Sequence, residues 1–292
     1  MATETLDGLP STGSLLLRAA LTARGGGGDT VPDRTLRVED LRVDRHRLAA
    51  YQRLTGFDVS DTLPQPYPWV LAFPVQTALM ARRDFPLALP GLVHVENRVT
   101  THRRMDASEP LTLDVTARDL RPHRRGRTLD VRLEARVGDE LVWECDSVYL
   151  SPGRGDEDAP RGDSPPDLPA GPPVARWRLD DGLGRRYAGV SGDVNPIHLH
   201  PLSARALGMK RHIVHGMWSY ARTLSAVGRG SLGPSASRVW FTDKVYLPST
   251  VELVLDRAAD GVTAGLRSGR DPEKRLLVLT IRPLTRSNSP NG

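Results

Sequence analysis

One succession of elements occurs twice in this chain, and that repetition limits its fold more than any other feature. Within residues 36–152 the chain runs, from Glu39, through EDLRVDRHRLAAYQRLTGF and a proline break, PQPYP, to WVLAFPVQTALMARR, and then to LVHVENRVTTH, LTLDVTARDL, TLDVRLEARV and ELVWECDSVYL. Residues 175–285 begin with ARWRLDD, pass through a helical region, and finish with SRVWFTDKVYL, VELVLDRA, GVTAGLRSG and KRLLVLTIRPL. Each closing set alternates apolar and polar residues between turn formers, so each predicts a four-stranded antiparallel meander. The stretches VHVENRVTTHRRMDASEPLTLDV and SRVWFTDKVYLPSTVELVL share one strand-turn-strand layout. The expectation is an α+β fold of two related halves, each giving a sheet and a central helix.

The helical segments carry apolar faces at helical spacing: Leu48, Tyr51 and Leu54 in the first, and Val75, Leu79 and Met80 in the second, where Pro74 fits a first helical turn. Residues 153–174 are rich in Pro, Gly and Asp without apolar period, and read as a linker between the halves. Residues 1–35 read as a mobile lead-in with one short helix near Leu15–Leu17, and 286–292 as a tail. The run Gly25–Gly28 lacks the Gly-Lys-Ser/Thr ending of a phosphate loop and has no nucleotide role.

Composition removes several function classes. The longest apolar run is too short to cross a membrane. Cys145 is the sole cysteine, which excludes an internal disulfide and fits a reducing, cytoplasmic setting. It shares a strand face with Leu141, Trp143 and Tyr149, and so belongs to the core rather than to chemistry. The net charge of +5 comes from arginines scattered among acids, with almost no lysine, and does not describe a nucleic-acid surface.

Ionisable chemistry is concentrated in Tyr187 to Tyr220, YAGVSGDVNPIHLHPLSARALGMKRHIVHGMWSY. Pro196 has no N–H and suits the passage from a turn into a helix, so the loop ends near Asn195 and a helix follows to Gly208. Asp193 in the loop and His198 in the first turn can converge on one water molecule, as general acid–base chemistry requires. A second helix starts at Gly216 with Met217, Tyr220, Ala221, Leu224 and Val227 on one face. Its first N–H groups have no partner within the helix and can hold an oxyanion. Such parts would add water across a double bond conjugated to a thioester carbonyl. Two rival readings use the same residues. Asp193 and Asn195 could merely cap a turn, and His198, His200, His212 and His215 with Asp193 could bind a metal, although their spacing matches no common zinc pattern.

The pattern Y-x-x-x-S-G-D-x-N-P-I-H, followed by H-G-M, resembles the hydratase 2 motif of the MaoC-like (R)-specific enoyl-thioester hydratases and dehydratases. The resemblance implies a double hot-dog fold, in which each sheet wraps a central helix. It further implies that Asp193 and His198 are the catalytic pair, that Asn195 orients the site, and that the Gly216 N–H meets the enolate oxygen. The implied reaction is reversible hydration of a trans-2-enoyl thioester to the (3R)-hydroxyacyl thioester by a hydro-lyase without metal or other cofactor. The substrate would be an acyl-CoA or acyl carrier protein thioester, with arginines near a tunnel mouth available for its phosphates. No nucleic acid or membrane partner is expected, and a homodimer is compatible with hot-dog sheets. The alternative is a non-catalytic acyl-thioester-binding or thioesterase-type hot dog; thioesterases of similar fold often place a carboxylate on the central helix, and MWSYARTLSAV has none. The first half has no counterpart of Asp193 or His198, with His94 on a strand and Gln76 on a helix, so it is expected to be a degenerate half that shapes the acyl pocket. The second half departs from the family pattern at Trp240-Phe241 and Pro248-Ser249.

Overall fold

The computed structural model describes residues 2–15, 28–160, 162–228 and 233–284. The tail 286–292 and most of the short helix expected near Leu15–Leu17 lie outside them. Eleven strands form one sheet: β1 (Ala2–Thr5), β2 (Arg34–Leu41), β3 (Val93–Thr101), β4 (Leu111–His123), β5 (Gly126–Val137), β6 (Glu140–Pro152), β7 (Ala175–Leu179), β8 (Ser235–Phe241), β9 (Ser249–Ala258), β10 (Gly261–Ser268) and β11 (Arg275–Pro283). Their order is β1-β2-β4-β5-β6-β3-β8-β11-β10-β9-β7. Beyond β1 the order is palindromic: β2-β4-β5-β6-β3 in the first half mirrors β7-β9-β10-β11-β8 in the second.

The halves meet where β3 pairs antiparallel with β8, with Arg98 opposite Arg238. The two expected sheets are therefore joined edge to edge, which leaves neither inner edge open. Only three strands of each set form a meander. β3 pairs with β6 and β8 rather than with β4, and β8 pairs with β11 rather than β9. Alternation gives a strand its faces but not its neighbours, so the sequence could not supply this crossover. β1 runs parallel to β2, with Ala2 opposite Arg34, which gives part of the lead-in a place in the sheet.

Two long helices lie on one face of the sheet. α1 (Arg45–Thr55) is capped by Asp44, whose carboxylate accepts from the His46 and Arg47 N–H groups, and it stops at Gly56 with φ 83°. α2 (Tyr67–Met80) begins after Pro66 with Pro68 in its first turn, and nearly all of it is buried. Pro74 is thus inside α2 rather than at its start. The prolines at 66 and 68 already provide the starting signal, and complete apolar burial holds the helix through the missing hydrogen bond. In the second half α3 (Leu183–Ser191) corresponds to α1 and α6 (Gly216–Val227) to α2; between them lie two short helices, α4 (Pro196–Leu199) and α5 (Pro201–Ala206).

The opposite face carries ion pairs: Arg98 and Arg121 to Asp130, Arg118 and Arg132 to Asp146, and Arg238 to Glu96. The linker lies against this face. Asp163 pairs with Arg238 and Asp167 with Arg275, both at 2.8 Å. Leu168 sits over Gly265, where a Cβ would come within 2.1 Å of Leu168 Cδ2. Cys145 is fully buried in the core, on the face shared by Trp143 and Tyr149.

Candidate active site

The site loop starts where α3 ends. Gly192 takes φ 77° and its N–H donates to the Ala188 carbonyl at 2.8 Å, a conformation a side chain would strain. The chain then turns on its own polar groups. The Asp193 N–H donates to Ser191 Oγ (3.2 Å), the Asn195 N–H to Asp193 Oδ1 (3.1 Å), and the Ile197 N–H to Asn195 Oδ1 (3.3 Å). Asn195 is the N-cap of α4 and fixes the turn that carries Asp193. The continuous helix expected from Pro196 to Gly208 is broken at His200 (φ −151°, ψ 146°), because Pro201 excludes the preceding residue from helical geometry and offers no N–H. Gly184 lets α3 touch α4: a Cβ there would lie 2.0 Å from the His198 carbonyl oxygen.

These contacts bring together Asp193, His198 and His215. A carboxylate oxygen of Asp193 and a ring nitrogen from each histidine lie within 4.8 Å of one another. The imidazoles stack with centroids 3.7 Å apart. His198 Nδ1 donates to the Ile213 carbonyl at 2.9 Å, which leaves Nε2 with a free lone pair. His215 Nε2 donates to the Asp193 carbonyl at 2.9 Å. Burial raises the Asp193 carboxyl above its ordinary value, against the opposing pull of His198. Burial likewise lowers His198, partly offset by Asp193, and lowers His215 well below the usual imidazole range, with His198 adding to the effect. Both imidazoles are therefore neutral at neutral pH.

Of the histidines weighed for a metal, only His198 and His215 join Asp193. His200 accepts from the Leu202 N–H as the N-cap of α5, and His212 bonds the Asp181 carbonyl at 3.0 Å.

Gly216 opens α6. The N–H groups of Trp218 and Ser219 both return to the His215 carbonyl, at 3.1 and 3.2 Å, so those of Gly216 and Met217 precede the first intrahelical bond. Phe241 lies across Gly216; a Cβ there would meet its ring at 3.0 Å. Beyond Phe241 lie side chains of the first half. His94 lies 4.9 Å from the Phe241 ring, 4.8 Å from Tyr149 and 5.7 Å from Trp69. Its Nε2 bonds Asn97 Oδ1 at 2.7 Å, and Asn97 Nδ2 reaches Met217 Sδ at 3.0 Å, tying β3 to the first turn of α6. Tyr149 donates to Gln76 Oε1 at 2.9 Å, and burial, with the nearby Asp193 charge adding to it, raises its hydroxyl well above the ordinary value.

Two features escaped the sequence reading. Spacing offers His215 only as one of four histidines for a metal or as part of H-G-M, whereas it stacks on His198 and bonds the Asp193 backbone. Tyr51 and Tyr187, fully buried, precede Gly56 and Gly192 by the same spacing, which sets YQRLTGF against YAGVSGD and puts Phe57 where the second half has Asp193. That shared tyrosine-to-glycine spacing was the available signal.

Comparison with known proteins bears on the family and the fold. Residues 178–268 match the MaoC like domain. The chain is 35% identical over 245 residues to 3-hydroxyacyl-thioester dehydratase X of Mycobacterium tuberculosis, covering 82% of this chain and 86% of that protein. A crystal structure of HtdX from Mycobacterium tuberculosis superposes with a TM-score of 0.74 at 31% identity, covering 86% of this chain and all of that one. A MaoC-like dehydratase from Phytophthora capsici, 18% identical, shares the fold with a TM-score of 0.71 over 88% of this chain and 96% of its own. No described helix is long and apolar enough to cross a membrane. With these relatives and this double hot-dog architecture, the chain belongs to the MaoC-like dehydratases and is a hydro-lyase.

Proposed function

We propose that the protein interconverts a (3R)-hydroxyacyl thioester and its trans-2-enoyl thioester, and that Asp193, His198 and Gly216 carry the reaction. The observation that carries this reading is the convergence of the Asp193 carboxylate with a neutral His198, whose Nε2 lone pair is free because Nδ1 is held by Ile213. In the hydration direction one water donates a hydrogen bond to Asp193 and another to His198 Nε2. His198 takes a proton from that water as hydroxide adds to C3, and the electron pair of the double bond moves toward the thioester oxygen. The imidazolium then returns the proton to C2, so no net proton is exchanged with solvent. The enolate oxygen is met by the Gly216 N–H, a preorganised donor of the kind that contributes about 3 kcal/mol to a transition state. Asn195 keeps the turn in place, and the stack of His215 on His198 fixes the plane of the base.

The Mycobacterium tuberculosis relative is a 3-hydroxyacyl-thioester dehydratase, which supports a thioester substrate; we take its carrier to be CoA or an acyl carrier protein. A thioesterase-type or purely binding role has less support, since α6 carries no Asp or Glu for such chemistry. Purified protein should consume the enoyl-thioester absorbance of crotonyl-CoA and form the (3R) product, while Asp193→Asn should not. Hydrolysis to free thiol without hydration would reject the reading.

A further inference from the structure

We infer that the cavity between β7, α3 and α6 is a docking site for a phosphate ester of the thioester's carrier arm, held by Arg178 and Arg222. This cavity of about 350 Å³ is lined by Arg176, Trp177, Arg178, Arg186, Trp218 and Arg222, among others. Four arginines converge there, and two are neutralised locally. Arg176 pairs with Glu252, and Arg186 grips both oxygens of Asp180 at 2.9 and 2.6 Å. Among the described residues Arg178 and Arg222 have no carboxylate partner, so the cavity keeps two positive charges.

Arg222 is the more telling of the two. Its guanidinium stacks over Trp177 at 4.5 Å from the ring centre, it reaches only Ser225 Oγ at 3.4 Å, and burial lowers its pKa with no anion to compensate. A half-buried guanidinium without an anion is unfavourable and leaves its planar donors unused. Phosphate suits this pair because it matches the guanidinium fork and has oxygens enough, and charge enough, to meet two arginines at once. The cavity shares its elements with the candidate site. Trp218 and Arg222 stand on α6, the helix that Gly216 opens, about 9 Å along its axis from Gly216 to Arg222. The opposite wall is α3, whose Tyr187 lies 4.8 Å from the His215 ring. This inference takes the thioester substrate from the reading above and adds where its carrier is gripped. The phosphate next to pantetheine is common to CoA and a carrier protein, whereas CoA alone adds the nucleotide phosphates.

The test is calorimetric titration of the intact protein with unacylated CoA, using wild type, Arg178→Gln, Arg222→Gln and the double variant. Arg178 is exposed and makes no contact that the fold needs, so its variant separates loss of binding from loss of folding. The expected result is a Kd raised tenfold or more in the double variant, with wild-type binding weakened by salt. In parallel, kcat/KM for crotonyl-CoA should fall tenfold or more while that for crotonyl-N-acetylcysteamine, which has no phosphate, stays unchanged. An equal loss with a crotonyl-loaded carrier protein assigns the pocket to the phosphate beside pantetheine, and a loss with CoA alone assigns it to the nucleotide phosphates. Undetectable CoA binding by wild type, or binding by the double variant within twofold of wild type, overturns the inference. Arginine-dependent CoA binding by a wild type that turns over no enoyl thioester would instead count against the reaction and leave the pocket standing.

Discussion

Tyr51 and Tyr187 meet with ring centroids 6.2 Å apart, one from each half of the chain, and each stands five residues before a left-handed glycine. The pair occupies matching places in the two halves, at the point where they differ in chemistry. After Gly56 comes Phe57, packed against the core; after Gly192 comes Asp193. From Tyr51 the first half reaches its bridge at Thr62 directly, while from Tyr187 the second inserts α4 and α5 before the matching bridge at Ile213. His198 lies inside that insertion, so the first half has no equivalent position to mutate. Phe57→Asp should therefore create no second site. It should destabilise the protein by about 2 kcal/mol through lost apolar burial and a poorly solvated charge, read as a lower denaturant midpoint. A rise in kcat per chain would contradict this account.

Asp193 should show a conflict between activity and stability. Its pKa is raised by burial, so folding works against the ionised form at neutral pH; the sign is that of a group whose contribution is favourable in acid and lost as pH rises through the folded pKa. Asp193→Asn removes that penalty and can still accept the Asn195 N–H. Turnover should fall by about a thousandfold, while the melting temperature at pH 7 rises. A lower melting temperature at pH 7 would mean that Asp193 is held by interactions stronger than its desolvation.

How far the sequence reached is clear from single residues. Alternation revealed the strands, and Pro196 placed Asp193 in the loop and His198 in the first helical turn, with Gly216 opening the next helix, because these are local rules about φ and missing N–H groups. Order within the sheet was not legible, since the β3–β8 pairing joins segments about 140 residues apart through backbone bonds that any side chain permits. Pro74 misled because a proline that starts most helices is tolerated inside one this deeply buried. His215 is not legible for a different reason: its contacts are a ring stack and a carbonyl, and neither leaves a spacing pattern.

Acid should unfold the protein through its buried histidines. Burial lowers His94 from 6.5 to about 4, with bonds to Asn97 and the Glu96 backbone opposing the shift. A depressed imidazole pKa means that the unfolded chain binds the proton more tightly, so the stability present above about pH 6.5 is lost as pH falls toward 4. For His94 alone that is about 3 kcal/mol, and His198 and His215 shift in the same direction. Asp193, raised by burial, works in the opposite sense over this range, and ion-paired carboxylates such as Glu109 and Glu252 add to the loss as the pH approaches their ordinary values, so the comparison with a His94 variant isolates the imidazole's share. His94→Gln keeps a donor for Asn97 without a titrating ring. Urea titrations from pH 7 to pH 4 should show a shallower fall for this variant, and identical slopes would exclude His94 as a source.

The catalytic limb of the same effect belongs to His198. Its neutral form is the base, and its pKa is lowered by burial, so kcat/KM should hold below the ordinary imidazole value and fall only at lower pH. Asp193 raises that pKa, so Asp193→Asn should move the His198 titration further toward acid, a change that NMR of the labelled ring can follow even when turnover is too slow to measure. A shift toward alkali would place the Asp193 charge too far from His198 to act on it.

Gly216 and Phe241 allow separation of a backbone donor from a steric fit. A Cβ at residue 216 would press on the Phe241 ring at 3.0 Å, closer than a carbon contact tolerates. Either the ring or the first turn of α6 must shift. If the Gly216 N–H holds the enolate oxygen, a displacement of the turn aims it away from the developing charge, and Gly216→Ala should lower kcat by about a hundredfold with little change in KM. Adding Phe241→Leu to Gly216→Ala makes room for the methyl group and should restore most of the lost rate, while Phe241→Leu alone should change kcat little. A double variant no faster than Gly216→Ala would show that the methyl group itself occupies the place of the thioester oxygen, and would remove the steric explanation while leaving the donor in place.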